Sequence, residues 1–203
     1  MNWIGHSLFL GLCSTALLGC QNASEHSEPK PASYLRSEVN AETGQAFRQM
    51  LRGVVVDENG APLRARVHLV TSTGSMSSGT APDGRFQFFD LRAKLYSITV
   101  TTKNARIAVL PNIEVSSAPL RISVVDEGSR LTLAAIGKPG TRFAVSQGDI
   151  NLFNFTNRDG KEVDLVVPLG EVEVRLYGKE FNELRTIHSL PNQKTRIYFE
   201  YND

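Results

Sequence analysis

Two segments, RGVVVDENGAPLRARVHLVT over Arg52–Thr71 and DGRFQFFDLRAKLYSITVTT over Asp83–Thr102, decide the fold. Val54, Val55 and Val56 form an apolar strand centre, and Asp57-Glu58-Asn59-Gly60 directly after it is a turn signal. The next run alternates, with Ala65, Val67 and Leu69 on one face and Arg64, Arg66 and His68 on the other. A period of two places one set against a core and the other in solvent, so His68 is expected at the surface. Asp83-Gly84 makes a second turn, into Phe86, Phe88 and Phe89. Tyr96, Ile98 and Val100 then supply a core face, with Leu95, Ser97, Thr99 and Thr101 opposite. Between the two segments, TSTGSMSSGTAP (Thr71–Pro82) has side chains too small and polar for a core and reads as a loop. Strand, turn, strand, loop and two further strands predict a small antiparallel sandwich.

Downstream, Arg106–Leu110 and Leu120–Val125 supply closing strands, and Asp126-Glu127-Gly128-Ser129 reads as a domain boundary. From Arg130 the rhythm restarts. RLTLAAIG, TRFAVSQ, INLFNFT, EVDLVVP, EVEVRLYG, LRTIHSL and TRIYFEY are candidate strands at regular spacing, the pattern of a second sandwich. Val172, Val174 and Leu176 are expected inside, with Glu171, Glu173, Arg175 and Tyr177 outside. The second half echoes the first: Tyr96 stands thirteen residues after Asp83, and Val172 thirteen after Asp159 of Asp159-Gly160. The expected fold is all-β, with two small antiparallel Greek-key β-sandwiches at 51–128 and 129–203, the second either a diverged copy of the first or an immunoglobulin-like module.

The order Gly53-x-Val55-x-Asp57-x-x-Gly60-x-Pro62, Ala65-x-Val67, Asp83-Gly84-x-Phe86, Leu91 and Tyr96-x-Ile98-x-Val100 resembles the carboxypeptidase regulatory-like domains. That resemblance implies a transthyretin-like sandwich of seven strands without catalytic function, a module found beside peptidases and in surface lipoproteins. The family's Gly before the Tyr is replaced here by Lys94-Leu95, whereas the second half has Gly170 near the matching place.

The first nineteen residues contain no Lys, Arg, Asp or Glu, and Leu8–Leu18 is apolar but too short to span a bilayer comfortably. They read as a secretory signal (1–19). The closing Leu17-Leu18-Gly19-Cys20 resembles the lipobox of bacterial lipoproteins. This resemblance implies cleavage before Cys20 and acylation of Cys20, which would tie the mature chain to a membrane. Gln21 after the cysteine favours the outer membrane in enteric-type sorting. Cys13 leaves with the signal, so no disulfide forms within one mature molecule. Residues 20–50 are polar, contain two prolines and read as a flexible tether averaging roughly 30 Å end to end; a short helix over Ala41–Met50 is weakened by Gly44.

With 22 basic and 21 acidic residues the net charge is +1, and no basic stripe points to nucleic acid. The mature chain has only His26, His68 and His188, and no clustered pattern for a metal or cofactor. No nucleophile stands beside a base and an orienting group in any recognisable motif. The expectation is therefore a non-enzymatic binding or assembly module of the cell envelope with a protein partner, and a carbohydrate ligand as the alternative. Its candidate surface comprises the loop serines Ser75 and Ser77 and two outward tyrosines, Tyr177 and Tyr198, which together form a small platform. The sequons at Asn22 and Asn154 are discounted as chance patterns.

Overall fold

A computed structural model describes residues 49–116, 118–136, 140–178 and 182–200. The expected signal, Cys20 and the expected tether up to residue 48 lie outside the described residues. Those described form fourteen β-strands and no helix.

Seven strands build the first sandwich: β1 (Gln49–Val56), β2 (Arg66–Thr71), β3 (Gly74–Gly79), β4 (Arg85–Leu91), β5 (Leu95–Thr101), β6 (Arg106–Glu114) and β7 (Leu120–Ser123). One sheet has the order β4-β1-β7 and the other runs β3-β2-β5-β6. Between them lies a core of Leu51, Val55, Val67, Leu69, Phe86, Phe88, Tyr96, Ile98, Val100 and Ile122, of which Val67, Leu69, Tyr96, Ile98 and Val100 are the inward residues expected from alternation. The turns form as their residues dictate. The Asp57 carboxylate accepts the amides of Asn59 and Ala61 at 2.9 and 2.8 Å, and Asp83 accepts that of Arg85 at 3.1 Å. Gly84 sits at φ +76°, a conformation most side chains resist.

Two expectations change here. The stretch Thr71–Pro82 is not a loop, because Gly74–Gly79 pairs with β2 along its full length as an edge strand. Its hydroxyl and glycine residues need no core, since an edge strand is held by backbone ladder bonds. Gln49 and Met50, assigned to the tether, already belong to β1.

The second sandwich comprises β8 (Asp126–Ile136), β9 (Thr141–Gln147), β10 (Ile150–Asn157), β11 (Val163–Pro168), β12 (Gly170–Tyr177), β13 (Asn182–Ser189) and β14 (Lys194–Glu200). Its core includes Leu131, Leu133, Phe143, Val145, Leu152, Val167, Val172, Val174, Leu176 and Phe199. The topology repeats the first. In each half the first strand pairs antiparallel with the fourth (β1 with β4, β8 with β11) and parallel with the seventh (β1 with β7, β8 with β14). In each, the other sheet runs third, second, fifth, sixth: β3-β2-β5-β6 and β10-β9-β12-β13. Gly84 and Gly160 fall in equivalent turns, before β4 and β11, and both have positive φ. The echo between Asp83-Gly84 and Asp159-Gly160 is thus a repeated fold position. The two parallel pairs depart from the all-antiparallel expectation.

The stretch 126–129 is not a linker. It opens β8, whose Asp126 and Glu127 pair with Ile107 and Arg106 of β6 before the strand continues into the second sandwich. One strand therefore joins the two cores without an intervening coil.

Candidate functional site

The outer face of the sheet β3-β2-β5-β6 is not left to water. Strand β10 lies across it, and the seam is made by side chains whose alternation turns them away from their own core. Thr99 donates its hydroxyl to the Leu152 carbonyl at 3.0 Å, and Ser75 donates to the Asn154 carbonyl at 2.6 Å. The His68 ring meets Phe153 edge-on, with centroids 5.0 Å apart. Asn154 is the hub. Its amide donates to the carbonyls of Thr71 and Ser72 at 3.3 and 3.1 Å. Its Oδ1 accepts Arg142 Nε at 2.8 Å and the Tyr177 hydroxyl at 3.3 Å. Arg142 also donates to the Thr73 carbonyl, and its guanidinium lies over the Tyr177 ring at 5.3 Å. Asn154 is only 3% exposed and every polar atom of its side chain is used, as burial of an amide demands.

Beside this seam a cleft of about 1150 Å³ opens between the two sandwiches. The outer face of the first sheet lines it with Arg66, His68 and Thr101, and β3 adds Ser75, Ser77 and Gly79. Phe153 and Phe155 of β10 and Val163–Val166 of β11 line it from the second sandwich. Glu58 and Arg106, which also line the cleft, pair at 3.7 Å. Burial pushes the His68 imidazole down to about 4, with the neighbouring Arg66 charge acting the same way, so at neutral pH the ring carries no charge. Asp164 is held below its ordinary value by the Thr132 hydroxyl and then by Lys194.

His68 and Ser77 are direct cross-strand partners, and both line the cleft. Among the described residues, however, no hydrogen bond joins Ser77 to the imidazole and no carboxylate orients it. A ring so hard to protonate is also a weak base. This arrangement offers shape, neutral polar groups and guanidinium charge. Among the described residues no group of three His, Cys, Asp or Glu can hold a metal ion.

The residues expected to matter are distributed differently. His68, expected at the surface, is half-buried, because its outward face is covered by β10. Ser75 is spent on the seam, while Ser77 keeps its hydroxyl at the cleft. Tyr177 and Tyr198 form no platform. Tyr177 lies on β12 and is engaged by Asn154 and Arg142, whereas Tyr198 lies on β14 in the opposite sheet and donates to Glu162 at 3.0 Å. His188 is exposed on β13, as its alternation implied. Cys20 lies outside the described residues. Asn154 and Thr99 were missed, and the run Leu152-Phe153-Asn154-Phe155 held the signal. Four successive residues with little exposure mark a strand covered on both faces.

No family model and no curated protein matches the chain. Among solved structures, the TIE protein of Bacillus anthracis is similar over 75% of this chain and 34% of its own, at 10% identity and a TM-score of 0.34. A candidate carbohydrate-binding protein of Bacteroides uniformis is similar over 68% of this chain and 98% of its own, at 8% identity and a TM-score of 0.33. The shaft pilin SpaA of Lactobacillus rhamnosus GG, as its D295N mutant, matches 77% of this chain and 99% of its own, at 12% identity and a TM-score of 0.30. The chain thus spans about a third of the Bacillus anthracis protein's length. Likenesses at these TM-scores carry no argument about function.

Proposed function

We propose that this chain is a non-catalytic binding or assembly module of the bacterial cell envelope. Acyl chains on Cys20 hold it to a membrane, and a protein partner enters the cleft between its two sandwiches. The lipobox resemblance supports the anchor, and the carboxypeptidase regulatory-like resemblance supports a non-catalytic role. The observation that carries the reading is the fixed cleft. Its two walls belong to sandwiches bolted together by a fully hydrogen-bonded Asn154, so the binding surface is set before a ligand arrives. The carbohydrate alternative loses its main support, because the two tyrosines do not form a stacking surface.

Two measurements test this. Labelled palmitate enters the wild-type chain in cells and not Cys20→Ala. A photo-crosslinker placed at Ser77, inside the cleft, traps a discrete envelope protein, whereas one at Gln87, exposed on the opposite sheet of the first sandwich, does not. Equal labelling of Cys20→Ala removes the anchor. Indiscriminate crosslinking from both positions, or a turnover abolished by His68→Ala, removes the binding role.

A further inference from the structure

Strand β11 ends its sheet: among the described residues its only partner is β8. The direction of its backbone groups follows from its neighbour. Gly128 donates its amide to the Ala105 carbonyl at 2.6 Å, and Arg130 to that of Gln193 at 3.1 Å, both across the β8 edge that faces away from β11. Alternation then turns the amides of Ser129, Leu131 and Leu133 toward β11, where they meet Val167, Leu165 and Val163. Asp164 and Val166 are left with N–H and C=O pointing off the free edge, and both residues line the cleft.

Free edges invite pairing unless something blunts them. In the first sandwich, the equivalent strand β4 is blunted by a register shift opposite Gln49–Leu51, by exposed Arg85 and by Asp90 at φ 56°. Strand β11 runs six residues in unbroken register with β8; its single charge, Asp164, is engaged by Thr132 and Lys194, and only Pro168 at its very end lacks an N–H on the free side. The charges around the cleft are unequally occupied. Asp57 caps its turn and Glu58 pairs with Arg106, while the guanidinium groups of Arg64 and Arg66 have no partner among the described residues. What remains unsatisfied among the described residues is a short row of backbone donors and acceptors in a cleft that Arg64 and Arg66 also line.

We infer that β11 is a docking edge for an extended acidic peptide segment, which adds to the sheet as a further strand and sets its carboxylates against Arg64 and Arg66. This rests on the reading of the cleft as a protein-binding site and names the chemistry of the partner. A strand repeats its outward backbone groups every second residue, at roughly 6.6 Å, and an extended peptide has the same repeat. A sugar chain does not present that alternation of donor and acceptor. Up to Pro168, whose nitrogen carries no N–H, the edge offers roughly 16 Å of pairing length.

The test uses the full chain with residues 1–19 removed and Cys20→Ser, so that no lipid is needed. The probe is an acetylated, amidated octapeptide alternating glutamate and valine, with a lysine–valine peptide as control. Binding is followed by fluorescence anisotropy and by amide exchange at Asp164 and Val166. The glutamate peptide is expected to bind and to slow both amides, the lysine peptide to bind at least about ten-fold more weakly. Arg64→Glu with Arg66→Glu, both exposed, should reverse the preference. Val166→Pro removes one edge N–H without touching the β8 ladder and should abolish binding at an unchanged unfolding midpoint; Val166→N-methylalanine, introduced by ligation, serves if the proline variant does not fold. Equal binding of the two peptides, or binding indifferent to the lost N–H, overturns the proposal. So does slowed exchange in protein alone that grows with its concentration, which assigns the edge to a second copy. Binding of oligogalacturonate unaffected by Val166→Pro assigns the cleft to an acidic glycan. If the peptides fail while a crosslinker at Ser77 still traps an envelope protein, strand addition falls and the protein-binding role stands; if both fail, both fall.

Discussion

Strands β3 and β10 occupy the same place in two copies of one topology, third in chain order and at the edge of the larger sheet, yet their compositions are opposite. Strand β3 is GSMSSG, mostly exposed, and β10 is INLFNFTN, mostly buried. Topology does not account for this; coverage does. Strand β10 has its own core on one side and the outer face of the first sandwich on the other, so both of its faces must be apolar or fully bonded. Strand β3 has solvent and the cleft beside it and is held by its ladder to β2 and by the Ser75 bond to β10. A repeated fold thus acquires a directional seam, in which the third strand of one copy lies on the sheet of the other. The cleft is a by-product of that asymmetry.

The sharpest test of the comparison is the pair of equivalent turn glycines. A Cβ on Gly84 would stand 2.4 Å from the Val55 carbonyl, whereas one on Gly160 would find nothing nearer than the Ala135 carbonyl at 3.8 Å. Gly84→Ala should combine positive-φ strain with a backbone clash and lose about 3–4 kcal/mol, while Gly160→Ala bears only the φ penalty, about 1 kcal/mol. Urea unfolding of the two variants measures the difference; equal losses would mean that the turns are not built alike.

The seam itself is broken by Asn154→Ala. It strands the Thr71 and Ser72 carbonyls and frees Arg142, and should cost about 2–3 kcal/mol, with Ser75→Ala at about 1 kcal/mol and Ser77→Ala near zero. A loss at Ser77 matching that at Ser75 would show that β3 is held differently.

His68 gives the seam a pH signature. Its folded pKa, about 4, lies below the ordinary 6.5, so the unfolded chain takes up the proton first. Stability is complete above pH 6.5 and falls as the pH drops toward 4, by about 2 kcal/mol once solvent around the half-buried ring is allowed for. His68→Phe keeps the contact with Phe153 and should flatten that part of the profile relative to wild type. A parallel decline in both proteins would place the effect elsewhere.

The smallest change is expected at Lys194, whose ion pair with Asp164 at 3.5 Å is exposed. Lys194→Ala should cost less than about 0.5 kcal/mol, and less still in high salt.

Much of this architecture was legible in the chain. The alternation in Arg66–Leu69, Tyr96–Val100 and Val172–Leu176 named the inward residues correctly, and all seven strands of the second half were anticipated. Strand β3 was not, because Gly74–Gly79 has neither apolar periodicity nor β-branched residues; it is a strand only because β2 supplies a ladder. That 126–129 belongs to a strand was not legible for a related reason, since polar residues with one glycine look like a linker until β6 is present to pair with them. The candidate site was less legible. Of its residues, Ser77 was named as a surface serine, while Arg66 and His68 were assigned only to an exposed face and Asn154 was discounted as a chance sequon.

What the chain determined alone was local: where strands turn, through Asp57, Gly60, Asp83 and Gly84, and which side chains share a face, through period two. Those follow from backbone sterics and from hydrogen bonds between near neighbours. Only the tertiary structure decided which outward faces would be covered, because alternation separates two faces and cannot say what lies beyond either. The burial of His68, the bonding of Asn154 and the exposure of the β11 edge all depend on where the second sandwich comes to rest on the first.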